Sequence, residues 1–138
     1  NGSVIELTTK HMKCETTVPS GEVFVDGGGV GEVGAVVLND RKILAEDGMV
    51  VVVLSISSHD HQLLCEPEIV TRGFVYVKES EELMQEMRNV AMKAVDGMSN
   101  RRRKDDGEVC RTVKSAVSSY LYKQTKRSPM IIPMVTKL

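Results

Sequence analysis

At 138 residues and 15.2 kDa, 41% hydrophobic and 27% charged, the chain has the make-up of one soluble domain with at most a short appendage. No apolar run nears the roughly 18 residues of a membrane span, the longest being Met49 to Leu54, and the opening Asn-Gly-Ser shows no secretory leader. Charge is divided: residues 1–100 carry 8 Lys/Arg against 16 Asp/Glu, and residues 101–138 carry 10 against 3, so the net −1 hides a basic C-terminal stretch.

Trp is absent, so eight Met and a dense Val/Ile set must fill the core. Cys14, Cys65 and Cys110 are an odd number at wide spacing with no Cys-x-x-Cys pair. That argues against a disulfide scaffold and against a structural zinc site, and it suggests a reducing compartment.

In chain order, Val4–Thr8 and Thr16–Val18 read as short strands that end at the turn signal Pro19-Ser20-Gly21. Two such strands cannot make a core alone. Glu22–Asp26 alternates as a strand and leads into Gly27-Gly28-Gly29-Val30-Gly31. No Gly-Lys-Ser/Thr follows, and Gly27-x-Gly29-x-x-Glu32 lacks the third glycine of a dinucleotide fingerprint. Val33–Leu38 does not open an amphipathic helix either, so these glycines fit flexible linkage.

Residues 37–47 predict a short helix capped by Asn39 or Asp40 and stopped by Gly48. Met49–Ile56 is a nearly unbroken β-branched run, the pattern of a strand covered on both faces or central in its sheet. A polar turn at 57–62 leads to a second strand, Leu63–Thr71, in which Pro67 points to an edge or a bulge. From Ser80, a candidate N-cap, Leu83, Met87, Val90, Ala91, Ala94 and Val95 mark one helical face, ended by Gly97. Residues 99–107 read as a charged loop. A second helix presents Val109, Val113, Ala116, Val117, Tyr120 and Leu121, and Pro129 stops it before a last strand at 130–135. The order β-β-α-α-β implies an α+β two-layer sandwich: a three-stranded sheet covered by two helices, preceded by a short β segment and a linker.

Little in the chain resembles catalytic machinery. His59-Asp60-His61 is the one metal-like arrangement, since alternate residues of a strand share a face. A His-x-His-x-Asp-His motif would need Asp and His where Leu63 and Leu64 stand, so a polar turn is the preferred reading. Cys14 follows His11 by three residues with nothing to orient the base, and Glu66 and Glu68 flank Pro67 as a solvated pair. Neither a catalytic nor a metal-binding residue is expected.

The better lead is the basic set Arg101, Arg102, Arg103, Lys104, Arg111, Lys126 and Arg127, with Lys114 and Lys123 nearby. Such charges attract a phosphate backbone without sequence preference. Only Tyr120 and Tyr122 lie close, which disfavours a base-stacking platform. A solvated surface is the competing reading.

Several strings carry a family likeness. The run Val18–Gly27, the Gly29–Gly34 repeat, Val37–Gly48, Thr71–Ser80 and Thr125–Pro133 resemble, in order, the C-terminal third of ribonuclease J. The resemblance implies a bacterial metallo-β-lactamase-type nuclease with an inserted β-CASP domain. Such enzymes use two zinc ions to hydrolyse RNA from the 5′ end or internally. Their ligand motifs lie upstream of the region matched, so no cofactor is expected in this fragment. By the same resemblance, 1–20 would be tail strands of the metallo-β-lactamase domain, 21–47 a linker and 48–138 the C-terminal α/β domain. The partners implied are the rest of the ribonuclease chain, further copies in a homo-oligomer, and RNA through the parent, in the cytoplasm and without a membrane. Gly28, Glu32 and Ala35 depart from the family's usual residues, as do the 57–62 turn and the 97–107 loop.

Overall fold

The computed structural model describes residues 2–21, 25–26, 29–30, 34–74 and 81–138. It divides into two units, Asn1–Leu38 and Asn39–Leu138.

The first unit holds two small antiparallel pairs. Strand β1 (Ser3–Leu7) pairs with β2 (Met12–Thr17), and β3 (Val25–Asp26) with β4 (Gly29–Val30). The β1–β2 turn is closed by Thr8, whose N–H donates to the His11 carbonyl at 2.9 Å and whose hydroxyl accepts from the His11 N–H at 3.1 Å. No described side chain of this hairpin is buried, as two short strands without a covering layer require. The expected strand at 22–26 is represented by its last two residues. Residues 22–24, and Gly27, Gly28 and Gly31 of the glycine run, lie outside the described residues.

The unit boundary falls inside helix α1 (Ala35–Glu46), which starts earlier than expected. Leu38 N–H donates to the Gly34 carbonyl at 3.2 Å, so Asn39 and Asp40 are helix interior rather than caps. α1 buries no residue. It stops at Gly48, whose φ of 77° is the left-handed conformation of a helix terminus. Gly48 also lies against the backbone of Arg72, Gly73 and Phe74, where a Cβ would have no space.

The second unit is the α+β two-layer sandwich. Its sheet has the order β6-β5-β7: β5 (Met49–Ile56) is central, antiparallel to β6 (Glu68–Arg72) and parallel to β7 (Met130–Lys137). β6 is shorter than the expected Leu63–Thr71. Pro67 cannot donate to a ladder, and Leu63 makes only an isolated bridge to Ile56. Met130 at the start of β7 and Leu138 just past its end donate their N–H groups to the Gly48 and Ile56 carbonyls. By alternation Pro133 then turns its nitrogen to the free edge, where no ladder bond is lost.

One face of the sheet is covered by α2 (Glu81–Asp96) and α4 (Asp106–Thr125). Val50, Val52, Leu54 and Ile56 of β5 meet Met84, Met87, Ala91 and Val95 of α2 and Val109, Val113, Val117 and Leu121 of α4. The burial of β5 alternates strictly, with Met49, Val51, Val53 and Ser55 only half-buried. Its continuous apolar run therefore marks a central strand, and among the described residues helices cover one of its faces. The expected loop at 99–107 contains a one-turn helix, α3 (Asn100–Arg103), seeded by the Ser99 carbonyl, which accepts from the Arg102 and Arg103 N–H groups. Among the described residues no helix is long and apolar enough to cross a membrane.

Candidate nucleic-acid interface

The basic segment is organised by the start of α4. Asp105 caps the helix, its side chain accepting from the Glu108 N–H at 3.1 Å, and Asp106 and Glu108 place negative charge in the first turn. Glu108 then gathers two arginines. One carboxylate oxygen accepts from Arg102 Nε and Nη2 at 3.2 and 2.9 Å, and the other accepts from Arg111. Arg102, first, and Arg111 hold the Glu108 carboxyl below its ordinary range. Both guanidiniums remain largely in solvent, at 53% and 70% side-chain exposure, so the pairings orient more than they stabilise.

Arg101 and Lys104 are exposed on the adjoining turn. Lys137 closes the rim, donating to the Lys104 carbonyl and pairing with Asp106 at 2.7 Å. From Arg102 and Arg111 an open groove runs along α4 past Thr112, Ser115 and Ser119. Guanidiniums at one end and hydroxyls along the floor suit anionic oxygens.

Three of the expected residues sit elsewhere. Arg103 is buried: Nε donates to the Val95 carbonyl at 3.0 Å, Nη2 to the Asp96 carbonyl at 2.7 Å and Nη1 to Gln62 Oε1 at 2.6 Å. It closes the C-terminus of α2, whose last carbonyls have no helical partner. Arg127 is a clamp, its three nitrogens donating to Asp47 Oδ1 (3.1 Å), the Phe74 carbonyl (2.6 Å) and the Glu46 carbonyl (2.9 Å). Arg103 is thereby taken out of solvent, whereas Arg127, tied to these three acceptors, keeps 38% of its side chain exposed. Lys126 is exposed but ends α4 in the left-handed conformation (φ 58°), with its ammonium 5.6 Å from the Tyr122 ring centre. A helix of 20 residues is about 30 Å long, so Lys126 and Arg127 stand far from the Arg102–Arg111 cluster. Gln62 and Asp47, the partners of the two clamping arginines, carry no local sequence signal because the contacts span 41 and 80 residues.

The other candidates disperse. His59 and Asp60 are exposed in the turn after β5, their N–H groups donating to Ser57 Oγ, and His61 takes a left-handed φ of 59°. Among the described residues no three His, Cys, Asp or Glu side chains converge to hold a metal ion. Glu66 precedes β6, so it does not pair with Glu68 on a strand. All three cysteines are free; Cys14 and Cys65 are exposed, while burial, then Asp106, pushes the Cys110 thiol up.

Comparison with known sequences adds an independent line. The family described as "Ribonuclease J C-terminal domain" matches residues 36–138. Curated relatives include "Ribonuclease J 2" of Staphylococcus epidermidis, 39% identical, "Ribonuclease J 2" of Staphylococcus aureus, 37%, and "Ribonuclease J2" of Bacillus subtilis, 36%. Each alignment takes in 99% of this chain and 25% of the relative, so the chain spans about a quarter of their length.

Proposed function

Because the chain belongs to the ribonuclease J C-terminal domain family, we propose that it is the rear part of a ribonuclease J-like, zinc-dependent, cytoplasmic nuclease with 5′–3′ exonuclease and endonuclease activity. In this reading it cuts nothing itself and serves oligomerisation and the architecture of the enzyme. The observation that carries the reading is the coincidence of the family match over 36–138 with a unit, Asn39–Leu138, that has a closed core of its own. Zinc chemistry belongs to the larger part of the parent, outside this chain.

Two measurements test it together. The purified chain is expected to self-associate with rising concentration and to leave RNA uncut when zinc or manganese is added. Turnover above background overturns the non-catalytic role.

A second reading makes the chain a basic module that delivers RNA to the parent's active site. Its support is the exposed cluster Arg101, Arg102, Lys104 and Arg111 beside a hydroxyl-lined groove. It predicts salt-sensitive, sequence-indifferent RNA binding. On single strands the log–log salt slope should shrink by about 0.7 for each phosphate that a variant no longer neutralises. Replacing those four by Ala tests this without touching Arg103 or Arg127, which the fold needs.

A further inference from the structure

Glu108 stands between two guanidiniums of the basic cluster and engages both. Arg102 donates Nε and Nη2 to one carboxylate oxygen, at 3.2 and 2.9 Å, and Arg111 donates Nη2 to the other. The neighbouring acids are engaged elsewhere: Asp105 accepts from the Glu108 N–H at 3.1 Å, and Asp106 pairs with Lys137 at 2.7 Å. Glu108 also lines the open groove, one helical turn before Thr112. Arg102 Nη2 reaches on to Thr112 Oγ1 at 3.4 Å, so the same guanidinium touches both the carboxylate and the groove floor.

A carboxylate held through both oxygens uses the N–H donors that a phosphate would use. The geometry points to Glu108 as an internal competitor, a carboxylate that must leave Arg102 and Arg111 before an RNA phosphate can enter this end of the groove. The inference rests on the RNA-delivery reading above and names what regulates that site.

The barrier is a threshold rather than a block. Both ion pairs lie in solvent, with 53% and 70% of the arginine side chains and 32% of the Glu108 side chain exposed. Breaking two exposed pairs of this kind lowers a binding constant by about three- to tenfold in all. A lone phosphate replaces one anion by another and gains little. An RNA strand also brings phosphates to Arg101 and Lys104, exposed on the adjoining turn, and those contacts offset the displacement. Glu108 thereby favours a chain of phosphates over a free one.

The test is Glu108→Gln, which keeps the side-chain length and removes the charge. Its readout is fluorescence anisotropy of a labelled oligouridylate titrated with the purified chain. Affinity is expected to rise about three- to tenfold. The log–log salt slope should steepen by about 0.7 for each further phosphate neutralised. Glu108→Ala should act in the same direction. Glu86→Gln, at an exposed residue of α2, makes the same change in net charge and should have less effect. The gain should vanish when Arg102 and Arg111 are both replaced by Ala. A gain that depends on these arginines supports the competitor, also where the parent chain binds too weakly to measure. A Glu108 variant that binds no better than an RNA-binding parent overturns it and leaves RNA delivery standing. A gain matched by Glu86→Gln, or kept without the arginines, overturns it too, because net charge then explains the effect. Displacement of RNA from the parent chain by inorganic phosphate, at ionic strength matched with chloride, also overturns it. If neither the parent chain nor the Glu108 variants bind RNA, the competitor and the RNA-delivery reading fall together.

Discussion

Arg103 and Arg101 stand two residues apart and do unrelated work. Arg103 spends its donors on two carbonyls of α2 and on Gln62, whereas Arg101 lies in solvent. Arg103→Ala removes charge-assisted hydrogen bonds to the Val95 and Asp96 carbonyls and to Gln62 together with a buried side chain, and is expected to cost about 1.5–3 kcal/mol in urea unfolding, against about 0.5 kcal/mol or less for Arg101→Ala. Equal effects contradict the assignment. Asp47 yields a pH prediction. The Ser128 N–H at 3.0 Å, first, and Arg127 at 3.1 Å hold its carboxyl below the ordinary 3.8. A depressed folded pKa means the contribution is complete above the unfolded value and is lost as pH falls through the lower folded one. Stability measured at pH values descending from about 4 should fall less steeply in Asp47→Asn than in the parent chain. Parallel acid limbs would count against the clamp.

Among the elements, the legible ones are those whose signal is local. The helical stripe Val109, Val113, Val117 and Leu121 is buried as expected, because 3.6-residue spacing alone selects that face. The β5 run marks its strand and central place, since β-branched residues on both faces suit a strand flanked by β6 and β7. Boundaries that differ from expectation depend on distant partners or on backbone alone. α1 begins on the Gly34 carbonyl without a side-chain cap, and α3 hides in a charge run because Arg103 anchors it to α2 and Gln62. For the candidate site, residue type revealed the basic cluster but not its division into solvent-facing groups and internal clamps, which burial decides. The joint between α1 and β5 gives a test at this scale. Gly48→Ala meets both a left-handed φ and the backbone of Arg72–Phe74, and should destabilise by about 2 kcal/mol or more in thermal or urea unfolding. A neutral substitution would mean that the two segments do not approach so closely.

For the molecule as a whole, the second unit is closed on one side and apolar on the other. Among the described residues, helices cover one face of a central strand that is hydrophobic on both. Arg101, Arg102, Lys104 and Arg111, all in solvent, collect around the start of α4. The most direct measurement is the mass of the chain in solution by sedimentation equilibrium over a wide concentration range, with and without RNA. A reversible monomer–dimer transition that proceeds equally without RNA is the predicted result. A monomer at every concentration, or association only when RNA is present, would contradict it.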